Sequence, residues 1–125
     1  MSPTFARRVF TIAWIWGLVS LPPMFFLESL VARETGAPVS PPEYYYGFLG
    51  TAAAFQVVFY LIARDPLRLR PVMIAGVAEK LAFVIVALVL VALGRTQAGI
   101  LPFVAIDAVL GALFIAAFRS TRSAV

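Results

Sequence analysis

Glu79, Lys80 and Asp107 are ionisable side chains standing deep inside apolar stretches of the chain. Glu79 and Lys80 lie well inside Val72–Gly94, and Asp107 lies within Ala98–Phe118. Such groups serve ion pairing, proton exchange or capture of a polar ligand head, in a medium that penalises charge. At the centre of a membrane helix a lysine or acid costs about 2.5–3.5 kcal/mol, whereas each Leu, Ile, Val or Phe favours insertion by about 0.3–0.6. Val72–Gly94 holds thirteen of those four residues. They favour insertion by roughly 4–8 kcal/mol, against roughly 5–7 for an unpartnered charged pair. A span so near break-even implies that the pair has a partner or a task.

Depth supplies the neighbours. At 1.5 Å per residue, Glu79 and Lys80 lie roughly 10–12 Å inside the basic end of their stretch. Gln56 and Trp16 reach about the same depth in theirs, and Asp107 lies somewhat further in. These five residues define a buried polar layer and candidate ligand site, with Glu28 nearer the opposite surface. Adjacent helical residues point about 100° apart, so each of the pair is expected to seek another helix. Lys80 is expected to meet Asp107, and Glu79 to meet Gln56 or the Trp16 indole. All three charges together would give the layer a net charge of −1, so one carboxyl, Glu79 first, is expected to carry a proton. Gly76, Gly111 and the small residues Thr51–Ala54 flank the polar positions and permit close backbone approach. Phe83, Phe103 and Phe114 share helical faces with the charges and are candidates to line the space.

The elements that must position these groups follow from composition. The chain has 125 residues, 62% apolar and only 13% charged, with a mean hydropathy of +0.98. So short a chain cannot hide that much apolar surface from water, and lipid must solvate much of it. Four stretches reach the roughly 20 residues a bilayer requires: about Val9–Ala32, Tyr44–Ala63, Val72–Gly94 and Ala98–Phe118. The expected fold is all-α, one transmembrane four-helix domain over residues 1–125, its first helix kinked at Pro22-Pro23. That first stretch is too long for a cleaved signal peptide and has Leu30 where cleavage needs a small residue. Ser40-Pro41-Pro42-Glu43 reads as a capping box opening the second span. Asp65-Pro66 reads as a cap ahead of the third.

The basic residues cluster at the ends of the apolar runs, which argues for anchoring rather than nucleic-acid binding despite the net charge of +4. Arg7, Arg8, Arg64, Arg68, Arg70, Arg119 and Arg122 fall on one side, and Arg33 and Arg95 on the other. Positive loops stay in the cytoplasm, so both termini and the Arg64–Pro71 loop are expected there, with Tyr44, Tyr45 and Tyr46 at the outer interface. Cysteine and histidine are absent, which excludes disulfides, Cys/His metal centres and histidine acid–base catalysis. No metal, cofactor or catalytic constellation is expected, and membrane lipids are the expected surroundings. Four helices shield polar faces poorly, so a homodimer is a candidate assembly, although no unambiguous dimer motif is present.

Tyr46-Gly-Phe-Leu-Gly through Gln56, Ala63-Arg-Asp-Pro, Arg70-Pro and Glu79-Lys80 together resemble a group of small four-span bacterial inner-membrane proteins. These are broadly similar to DoxX-type proteins in size and topology. The resemblance implies a multi-pass inner-membrane protein, and the DoxX link implies association with quinone-related redox systems. The residues themselves leave three functions open. One is an accessory module that binds a lipophilic small molecule at the polar layer. Another is a proton-coupled transporter using an intramembrane carboxylate, Glu79 or Glu28. The third is a membrane enzyme, which would have only Asp, Glu, Lys and Tyr to act with and shows no recognisable constellation. The bland alternative is a layer that only locks the helices together.

Overall fold

The computed structural model describes residues 3–122. Five α-helices account for most of them: α1 (Thr4–Ser20), α2 (Glu28–Thr35), α3 (Pro42–Arg64), α4 (Met73–Ala92) and α5 (Leu101–Ser120). No strand occurs among the described residues. Four segments are long and apolar enough to cross a membrane: Thr4–Phe26, Pro42–Arg64, Arg70–Ala92 and Ala98–Ser120, each of 23 residues. At 1.5 Å per residue, 23 helical residues extend about 34 Å, enough for a hydrocarbon core of about 30 Å.

The first segment differs from the sequence expectation. It runs from Thr4 to Phe26 rather than from Val9 to Ala32, and it is not one kinked helix. Leu21 still donates to the Gly17 carbonyl at 2.9 Å. Pro22 and Pro23 have no N–H for the carbonyls of Leu18 and Val19, so the α-helix stops. A 3₁₀ turn over Pro22–Phe26 follows. The backbone leaves helical geometry at Leu27 (φ −115°, ψ 21°), and α2 forms as a separate short helix closed by Gly36 at φ 75°. Glu28 in its first turn and Arg33 in its last suit the helix dipole.

Proline also decides the start of α3. The expected capping box does not form: Pro41 is the N-cap, no side chain caps the helix, and Pro42 takes the first position. Two prolines leave two fewer N–H groups needing a cap. Asp65 ends α3 and accepts from the Arg68 amide at 3.4 Å in the single turn before Arg70–Val72 leads into α4.

α1 packs against α3 and α5, and α4 packs against α5, whereas α3 and α4 touch only lightly. Toward the Arg-rich end the interior is aromatic. Phe10, Phe59 and Phe114 are fully buried. Phe10 stacks on Phe114 at 4.3 Å between centroids, and Phe59 meets Phe114 edge-on at 5.0 Å. Gly76 makes room for them, since a Cβ there would stand 3.2 Å from Phe59 and 3.3 Å from Phe114. Arg70 pins the ends of α4 and α5 together: Nε donates to the Phe118 carbonyl at 3.0 Å and the Thr121 hydroxyl at 3.1 Å, with the guanidinium 3.7 Å from the Phe118 ring centre. Arg70→Gln is expected to lower stability by about 1–2 kcal/mol through these bonds, read as an earlier thermal unfolding midpoint.

At the other end Tyr45 donates to the Met24 carbonyl at 2.8 Å and Tyr46 donates to Glu28 Oε1 at 2.6 Å. Glu28 is thereby held by α3 rather than free at the surface. Tyr46→Phe removes the only hydrogen bond to that carboxylate among the described residues. It is expected to cost about 1–2 kcal/mol, checked by the same melting measurement.

Candidate functional site

Trp16, Gln56, Glu79, Lys80 and Asp107 line one cavity of about 60 Å³. Each of the four long helices contributes: α1 through Trp16, α3 through Gln56, α4 through Glu79 and Lys80, and α5 through Asp107. Gly17, Ser20, Phe48 and Phe83 complete much of the wall. A space of this size admits a few water molecules or a small polar head. Drug-sized ligands occupy roughly 300–1,000 Å³.

Lys80 is the centre of the site. It is only 6% exposed. Its Nζ donates to Asp107 Oδ1 at 3.2 Å, joining α4 to α5. The ammonium also lies 3.5 Å from Glu79 Oε2, close enough for ion pairing but without hydrogen-bond geometry. Glu79 and Lys80 therefore do not look to separate helices as the 100° offset implies, because the flexible lysine stem brings Nζ back across that angle. Below, Nζ stands 5.4 Å from the Phe59 ring centre, a favourable place for a cation. Gly111 gives the stem its room: a Cβ at that position would come within 3.3 Å of Lys80 Cβ.

Gln56 is 3% exposed, and its Nε2 donates to the Ala52 carbonyl at 2.8 Å on its own helix. Its Oε1 has no hydrogen-bond partner, and neither does Glu79 Oε2, although both atoms are buried. The expected hydrogen bond from Glu79 to Gln56 or to the Trp16 indole is thus not formed among the described residues. Trp16 sits at the rim, 38% exposed. Gln56 reaches its position only because residue 17 is glycine. A Cβ at Gly17 would collide with Gln56 Oε1 and Cδ, and would come within 2.7 Å of Cγ.

The aromatic expectations divide. Phe83 lines the cavity. Phe114 belongs to the aromatic core with Phe10 and Phe59, and Phe103 is 57% exposed on the outside. Phe48 and Phe83 stack at 5.8 Å across the lightly packed α3–α4 seam. Phe48 both lines the cavity and is half-exposed, so the wall there is one ring thick. Sequence reasoning missed Gly17, Ser20 and Phe48. The signal for Phe48 is spacing: Phe48, Ala52 and Gln56 recur every four residues and share a helix face.

The three charges sum to −1 when all are ionised. Gln56 and Glu79, each with a buried oxygen that accepts no hydrogen bond, line the cavity, and a carboxylate–ammonium pair fixes one wall. Chemically the site can accept a hydrogen-bond-donating head or hold protonated water. Among the described residues no group of three or more His, Cys, Asp or Glu stands together to hold a metal ion. No protein-family model, curated protein or solved structure matches this chain.

Proposed function

We propose that the chain is a small multi-pass protein of the bacterial inner membrane, its four spans forming one bundle with both termini in the cytoplasm. Its cavity works as a binding site for the donor-bearing head of a lipophilic small molecule, making the protein an accessory or ligand-binding module. The observation that carries this reading is a pair of buried acceptors that accept no hydrogen bond, Gln56 Oε1 and Glu79 Oε2, the second held only by its ion pair with Lys80, in residues lining one small cavity. A buried acceptor left unmet costs about 1–3 kcal/mol, and a ligand N–H or O–H would recover it. The head fits the 60 Å³ space, and the apolar body lies along the Phe48–Phe83 seam in the hydrocarbon.

Native mass spectrometry of the protein extracted from membranes tests this. The wild type is expected to keep a lipophilic adduct, and Gln56→Leu to lose at least about tenfold in occupancy without a lower melting temperature. Equal occupancy in both proteins, or no adduct in either, contradicts the reading. A proton-coupled transporter is the second reading, favoured by the charged trio in the cavity. It would require the Phe10–Phe59–Phe114 stack to part, and proton flux in proteoliposomes lost in both Glu79→Gln and Asp107→Asn would support it.

The orientation rests on the seven-to-two arginine asymmetry. The chain has no cysteine, so single introduced cysteines report cleanly. A membrane-impermeant thiol reagent is expected to label Ala37→Cys from outside the cytoplasmic membrane, in spheroplasts, and Arg68→Cys only after permeabilisation. The reverse pattern would invert the topology.

A further inference from the structure

We propose that the cavity selects an ammonium head and takes it up in exchange for one proton, which Glu79 gives up. The inference rests on the binding-module reading above and names its ligand class. The first argument is charge. Glu79 and Lys80 face the cavity from α4 and Asp107 from α5, while α1 and α3 present no titratable side chain to it. With all three ionised the site is one positive charge short of neutral. In a low-dielectric interior an uncompensated charge is costly, so the empty site holds a proton. Asp107 already accepts from Lys80. Glu79, whose Oε2 accepts no hydrogen bond, is the place for it.

The exchange then balances. The protonated Glu79 carboxyl releases H⁺ to solvent, the carboxylate pairs with the entering R–NH₃⁺, and total charge is conserved. No covalent bond other than the Glu79 O–H changes. The second argument is directional. An ammonium group carries N–H donors, and Gln56 Oε1 and Glu79 Oε2, the second ion-paired with Lys80 but not hydrogen-bonded, are the buried acceptors with hydrogen-bonding capacity to spare. The aromatic walls of Trp16, Phe48 and Phe83 suit a cation. A hard metal cation takes roughly six or more oxygen ligands, which this wall does not offer. The same head chemistry belongs to a free ammonium ion and to a lipophilic amine, and the open aromatic seam favours the amine.

Calorimetric titration of the full chain in neutral detergent at pH 7 tests the exchange. Octylammonium is titrated in phosphate and in Tris, whose different ionisation heats reveal the number of protons released. Gln56→Leu protein supplies the background from amine partitioning into micelles. Binding with release of about one proton per amine is expected, with Glu79→Gln binding at least about tenfold more weakly and releasing none. Binding without proton release overturns the exchange, and the wild-type count alone decides this if Glu79→Gln fails to fold. Octanol binding where octylammonium does not overturns the ammonium selectivity while leaving the binding module standing. Binding by neither overturns the module itself. Ammonium chloride reproducing the proton count supports the exchange and identifies the free ion as a sufficient ligand, whereas potassium chloride doing so overturns the hydrogen-bond argument.

Discussion

Lys80→Met is expected to destabilise the protein by about 3–5 kcal/mol, the cost of removing one partner from a buried ion pair. Lys80 is the only lysine in the chain. Its ammonium sits 3.2 Å from Asp107 and 3.5 Å from Glu79. Methionine fills the space of the stem but leaves the Asp107 carboxylate without its countercharge. It also removes the cation above Phe59, where the polar cavity meets the aromatic core. Lys80→Met combined with Asp107→Leu removes the pair together, and replacing a whole buried ion pair with apolar groups is often neutral or stabilising. The double variant is therefore expected to recover most of the loss. Reversible unfolding in mixed micelles measures both. A single variant as stable as the wild type would show that the pair does not hold α4 to α5.

Gly17→Ala is expected to produce the second large effect, because the new methyl occupies the space of the Gln56 side chain. An alanine in a helix interior ordinarily gains about 0.5–1 kcal/mol over glycine. Overpacking a buried site costs about 1–3 kcal/mol, and Gln56 is 3% exposed with its amide tied to Ala52. The collision wins, so Gly17→Ala is expected to destabilise by about 1–2 kcal/mol and to abolish ligand occupancy by displacing the acceptor. Gly17→Ala with Gln56→Ala frees that space. The helix preference then prevails, giving a double variant more stable than Gln56→Ala alone. Additive effects of the two substitutions, measured by the same unfolding transition, would show that the residues do not touch.

The four apolar stretches are legible because twenty residues of hydrocarbon leave little room for another reading. The polar layer is legible for the same reason: helical rise converts position into depth, and Trp16, Gln56, Glu79, Lys80 and Asp107 line one cavity. Depth does not give azimuth. Phe103 and Phe114 look equivalent in sequence, yet one is exposed and the other fully buried. The end of the first span was also beyond reach. Two successive prolines can bend a helix or end it, and the segment beyond them is held from another helix, Met24 by Tyr45 and Glu28 by Tyr46. Likewise the 100° offset between Glu79 and Lys80 says where their Cβ atoms point. It does not say where a four-carbon stem delivers its ammonium.

The ion pair that organises the cavity can be observed directly. With lysine Nζ labelled with ¹⁵N and aspartate Cγ with ¹³C, the protein in liposomes contains one labelled lysine and two labelled aspartates, Asp65 and Asp107. An Nζ–Oδ1 distance of 3.2 Å places the Asp107 carboxyl carbon within about 4.5 Å of the nitrogen. Solid-state dipolar recoupling is expected to show that close contact for one of the two aspartates, and to lose it in Asp107→Asn. A lysine signal uncoupled from either aspartate would contradict the polar centre, and with it the proposed binding site around Lys80.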